Sequence, residues 1–103
     1  MIEYSLYDNN DHLDVKLIGD LDIDGTEVVE EEIIPKMEKY KTIHINFEGI
    51  QFVDSTGMGL LMNMVQNLQE KGVKVTVSNV RQDIMDVFNI LQLPEILGEE
   101  IFV

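Results

Sequence analysis

Cysteine is missing from all 103 residues, which rules out disulfides and thiolate metal sites. Bases are scarce: 7 Lys and Arg stand against 20 Asp and Glu, for a formal net charge of −13. Phosphate backbones and anionic lipid surfaces are gripped by Lys and Arg, so this balance argues against nucleic acid and membranes as partners. It favours a protein partner with a basic surface. Nowhere is there an apolar run of signal-peptide or membrane-spanning length, which makes the cytoplasm the expected location. Histidine is limited to His12 and His44, and repeats and low-complexity linkers are absent.

What remains is the composition of a folded domain. A hydrophobic fraction of 45% supplies enough apolar surface to offset the entropy of ordering the chain. The length gives room for one core, so residues 1–103 are expected to form a single domain.

Period-two alternation marks the strands. Ile2, Tyr4 and Leu6 alternate with Glu3, Ser5 and Tyr7, and Leu13, Val15 and Leu17 alternate with Asp14 and Lys16. With the polar turn Asp8-Asn9-Asn10-Asp11 between them, these segments predict a hairpin. Ile43, Ile45 and Phe47, then Val73, Val75 and Val77, predict two further strands with one face toward helices and one toward water. The tyrosines Tyr4, Tyr7 and Tyr40 follow the apolar pattern or flank turns and are assigned to packing.

Between strands the period becomes that of a helix. Val29, Ile33, Met37 and Tyr40 form one stripe of a helix over about 26–40, which Pro35 should kink or split because it lacks an amide donor. A second helix begins near Ser55, buries Gly57, Leu60, Leu61, Met64, Val65 and Leu68, and ends at Lys71-Gly72. A third, about 82–91, turns Ile84, Val87, Phe88 and Leu91 inward and stops at Leu93-Pro94, after which Ile101 to Val103 suggest a short edge strand. The order predicts an α/β fold: a mixed β-sheet with helices packed on one face. Glu30 to Glu32, Glu95, Glu99 and Glu100 read as solvated surface.

The most informative stretch is Phe52-Val53-Asp54-Ser55-Thr56-Gly57-Met58-Gly59-Leu60-Leu61, between a strand and the second helix. Ser55 is expected near the N-cap, at the strand end where open α/β folds place functional loops. From the residues alone Asp54 to Gly57 is first of all a helix cap, and Gly59 lacks the Lys context of a phosphate-cradling loop. With 100° per residue, Met58 lies roughly 80° and Met62 roughly 120° from the centre of the buried stripe, so Met62 is expected outside the core.

The stretch from Phe52 to Leu61 resembles the signature of the STAS domain, and Gly19-Asp20-Leu21-Asp22 resembles its earlier loop after the second strand. Asp20 stands where glutamate is common in the family and Met58 where leucine is common. The resemblance to the family's anti-sigma factor antagonists implies that Ser55 is a phosphoacceptor. It also implies that the unphosphorylated form binds an anti-sigma factor serine kinase, releasing a sigma factor, and that a phosphoserine phosphatase resets the switch. Asp20, Leu21, Asp22, Asp54, Thr56, Gly57, Met58 and Met62 are then the expected partner-binding residues. The added phosphate would lie near Asp20, Asp22 and Asp54, so repulsion and lost shape complementarity are the expected cause of release. No cofactor, no metal and no catalytic residue is expected.

Three rivals frame the expectation. In a receiver-type domain Asp20, Asp22 and Asp54 would gather a magnesium ion, although no lysine completes such a site. A hydrolase using Ser55 would need His12 or His44 as its base, and both read as ordinary strand or turn residues. A STAS scaffold or lipid-transport subunit would bind constitutively.

Overall fold

The computed structural model describes residues 2–103. Strands β1 (Glu3–Asn9), β2 (His12–Leu21), β3 (Thr42–Val53) and β4 (Lys74–Ser78) form one sheet in that spatial order. β1 runs antiparallel to β2, whereas β2, β3 and β4 are mutually parallel. The expected mixed sheet is therefore present. Its hairpin is tighter than expected: Asn9 pairs with His12, leaving Asn10 and Asp11 as a two-residue turn. Asn10 has φ 60°, a left-handed conformation that asparagine tolerates better than most residues. His12 thus belongs to the strand.

Leu13, Val15, Leu17, Ile43, Ile45, Phe47, Val75 and Val77 are buried on one face, under the helices. The other face is polar and half-buried. There His12 is hydrogen-bonded with Thr42 (2.6 Å) and Asp14 (3.1 Å), and His44 with Thr76 (2.6 Å) and Ser78 (2.7 Å). Tyr7 pairs with Asp14 on this open face and is exposed, so it does not pack in the core as expected.

β2 and β3 run several residues past the positions where simple alternation ends. Two irregularities in their pairing, between Lys16 and Ile18 and between Gly19 and Asp20, break the period while the ladder continues to Leu21 and Val53. Gly19 sits at φ 105°, a conformation that side chains resist. The segment Gly19 to Asp22, expected as a loop, is therefore mostly strand, and only Asp22 lies beyond it.

The expected first helix is continuous over residues 26–37 and is not split at Pro35; its turns widen ahead of the proline instead. A short 3-10 turn (Ile23–Gly25) leads into a π-helical stretch (Val28–Ile33) and then α1 (Ile34–Met37), with Pro35 near the start of α1. Widening the preceding turn relieves the clash of the proline ring with the carbonyl four residues back. Helix α2 (Ser55–Glu70) buries Gly57, Leu60, Leu61, Met64, Val65 and Leu68, the stripe read from the sequence.

Helix α3 (Gln82–Ile90) touches the core along a narrower stripe than expected. Ile84 and Phe88 are buried, but Val87 is 39% and Leu91 50% exposed. The core meets α3 only along Ile84 and Phe88, one turn apart, and Val87 and Leu91 lie on the flank of that contact. Leu93-Pro94 ends α3 and also opens a new helix, α4 (Leu93–Leu97), after Gln92 reverses the chain at φ 61°. The expected terminal strand is reduced to one parallel bridge, Val77 to Phe102, with the Val103 amide donating to the Val77 carbonyl (3.0 Å). Phe88 and Phe102 pack with ring centroids 5.8 Å apart.

Candidate functional site

The carboxyl ends of the central strands set the site. Asp20 pairs with Phe52 and Leu21 with Val53, so the ends of β2 and β3 lie side by side. β3 then passes through Asp54 directly into α2. Asp54, rather than Ser55, is the N-cap: its carboxylate accepts from the Gly57 amide (2.7 Å), and its own amide donates to the Leu21 carbonyl (3.3 Å). Ser55 is the first helical residue and is exposed, while Thr56 beside it is half-buried. Asp22 plays the same capping part for the 3-10 turn, accepting from the Asp24 amide (3.1 Å).

Gly57 explains why the two strand ends can meet the helix so closely. A Cβ at this position would overlap the Leu21 carbonyl oxygen, so only glycine lets the first turn of α2 sit against β2. Leu21 itself is fully buried. Two residues expected on the partner surface, Leu21 and Gly57, are thus interior residues that hold the surface in place. Asp20, Asp22, Asp54 and Thr56 are half-buried, Asp54 and Thr56 directly flanking Ser55 in sequence.

Met58 and Met62 are also half-buried, packed on the margin of the core. With Ser55 and Gly59 they form one wall of a groove of about 380 Å³ whose other wall is Leu91, Leu93 and Ile96. Sequence reasoning placed Leu91 in the core and so missed this second wall. The unusual spacing of Leu91, Leu93 and Ile96 around Pro94 was the available signal.

The rival chemistries find little support in this geometry. Among the described residues no three His, Asp or Glu side chains come together in a way that would hold a metal ion. His12 and His44 face the open side of the sheet and are engaged with Thr, Asp and Ser side chains there, whereas Ser55 begins a helix on the covered side. Neither histidine is placed to act as its base.

A single family model, described as STAS domain, matches residues 3–103. The chain belongs to the STAS domain family. It is 22% identical over 93% of its length to the anti-sigma-B factor antagonist of Bacillus subtilis, covering 88% of that protein. To the protein of the same name from Staphylococcus epidermidis it is 27% identical over 86% of the chain and 83% of the relative. Among solved structures, the phosphorylated form of the Bacillus cell fate determinant SpoIIAA superposes with a TM-score of 0.71, at 22% identity, over 98% of this chain and 89% of that one. The STAS fold expected from Phe52 to Leu61 and Gly19 to Asp22 is therefore present. No helix among the described residues is long and apolar enough to cross a membrane.

Proposed function

We propose that this STAS domain is an anti-sigma factor antagonist switched by phosphorylation of Ser55. The unphosphorylated form binds an anti-sigma factor serine kinase in the cytoplasm and thereby frees a sigma factor. The kinase then phosphorylates Ser55, the antagonist is released, and a phosphoserine phosphatase resets it. In this reading the chain is a substrate of enzymes and not itself an enzyme. The observation that carries the proposal is the placement of Ser55: an exposed hydroxyl on the first turn of α2, at the rim of an apolar groove, in a chain whose relatives bear the antagonist name.

The physics of release follows from that placement. Phosphorylation adds about −1.5 to −2 charge and three acceptor oxygens at one atom. The N-terminal end of α2 tolerates the charge, since the first amides of a helix point outward without intrahelical partners and the dipole is positive there. The repulsion expected from Asp20, Asp22 and Asp54 acts within the antagonist, so by itself it does not drive off a partner with a basic surface. The partner is driven off because the phosphate keeps a hydration shell that the apolar walls beside Ser55 cannot replace, and because the added bulk spoils the fit. The domain can switch without changing shape.

The test is calorimetric titration of the kinase into folded Ser55→Ala and Ser55→Asp proteins. Ser55→Ala should bind like the unmodified chain and Ser55→Asp more weakly, though less weakly than the phosphoprotein, because aspartate carries less charge and bulk. Equal affinities for the two variants would remove Ser55 charge as the cause of release. Constitutive recovery of a transporter ATPase in place of a kinase would instead support the scaffold reading.

A further inference from the structure

The groove beside Ser55 is the longest-reaching feature that the switch leaves undefined. On one side it is lined by Met58, Gly59 and Met62, on the other by Leu91, Leu93 and Ile96. Leu91 and Ile96 are about half exposed (50% and 52%), and Ile90 beside them is 77% exposed. From Ser55 to Met62 the wall is roughly 10 Å long at 1.5 Å per residue, about two helical turns.

Resting on the proposed switch, we infer that this groove receives an amphipathic helix of the partner whose apolar stripe is flanked by Lys or Arg. Three observations select that occupant. The walls are helices with their hydrogen bonds satisfied internally, so there is no strand edge to which an extended peptide can add. What fits is a ligand bringing apolar side chains one turn apart, matching the flexible thioethers of Met58 and Met62. Charge supplies the flanks: α2, α3 and α4 contain no lysine or arginine, Asp54 directly precedes Ser55 and Glu95 adjoins Ile96 on α4, while Arg81 before α3 is held by Asp83 (3.5 Å). A second copy of this chain would set those acids against their own equivalents, and an anionic lipid would meet the same repulsion.

The test uses the full chain with methyl labels on Met, Leu and Ile, titrated with a synthetic helical peptide of about 15 residues carrying leucines at i, i+4 and lysine flanks. A twin with glutamate flanks serves as control. The lysine peptide should produce saturable shifts at Met58, Met62, Leu91 and Ile96, and the glutamate twin should bind about tenfold more weakly or worse. Ile96→Asp should reduce lysine-peptide affinity at least about fivefold with an unchanged melting temperature, as expected for an exposed contact residue. No saturable shift up to about 1 mM, shifts confined to other faces, or equal binding of the twin overturns the inference. Labelling of Ser55 by the kinase is measured independently, so a silent groove with intact labelling overturns the helix-binding inference and spares the switch.

Discussion

The two ends of the parallel strands are built from opposite charges. At the amino ends of β3 and β4 stand Lys39, Lys41, Lys71 and Lys74, whereas Lys36 reaches Tyr4 on β1 (3.1 Å) and Lys16 and Arg81 lie elsewhere in the chain. At the amino ends charges are paired across the surface: Lys71 with Glu38 (2.6 Å) and Lys41 with Asp11 (3.7 Å). At and just beyond the carboxyl ends of β2 and β3 stand Asp20, Asp22, Asp24 and Asp54, and none of them takes part in an ion pair among the described residues. Asp22 and Asp54 spend their oxygens on backbone amides instead.

Both arrangements suit the helix dipoles, with anions at helix starts and cations at helix ends. They differ in what they leave available. The lysine end pairs Lys41 and Lys71 with acids, whereas the Ser55 end uses Asp22 and Asp54 as caps beside an apolar groove. The two ends should therefore respond very differently to mutation: the Ser55 end through backbone contacts, the lysine end through screened charge.

The largest break should come from Gly57→Ala, which forces the first turn of α2 away from the Leu21 carbonyl. Overpacking against backbone should cost about 3 kcal/mol in urea denaturation. Gly59→Ala, two residues on, meets nothing within 4 Å. It should be neutral or stabilising by up to about 1 kcal/mol through helix propensity. Similar losses for both alanines would contradict the close approach assigned to Gly57.

Asp54→Ala removes the N-cap and should cost about 1 kcal/mol, while Asp54→Asn keeps most of it because the amide oxygen can still accept from Gly57. Equal losses for the two would show that charge, and not the cap bond, stabilises this end.

At the other end, Lys71→Ala should cost no more than about 0.5 kcal/mol, since its ion pair with Glu38 is partly exposed, and the loss should fade with added salt. A salt-insensitive loss above 1 kcal/mol, on the order of a buried pair, would erase the contrast.

Much of this asymmetry was legible in the sequence. The strand alternation and the buried stripe of α2 were each carried by local pattern, which is where physical constraints act residue by residue. The STAS resemblance identified the Ser55 end. What stayed hidden depends on contacts between distant segments. Pairing irregularities near Gly19 disguised the ends of β2 and β3, so a strand was read as a loop. Gly57 read as part of the buried stripe, but nothing local reveals that it presses on the backbone of Leu21, which was read as a loop residue on the partner surface. Leu91 followed a helical stripe in sequence, yet the reversal at Gln92 and the new helix at Leu93 turned it outward to build the groove.

The central claim, that the Ser55 end is the switch, is tested most directly by peptide mapping after incubation with the cognate serine kinase and ATP. The account predicts a single phosphate on Ser55, because it alone combines exposure, the first turn of α2 and the rim of the groove. Labelling should vanish in Ser55→Ala. A phosphate mapped to Thr56, or labelling that survives Ser55→Ala, would contradict it.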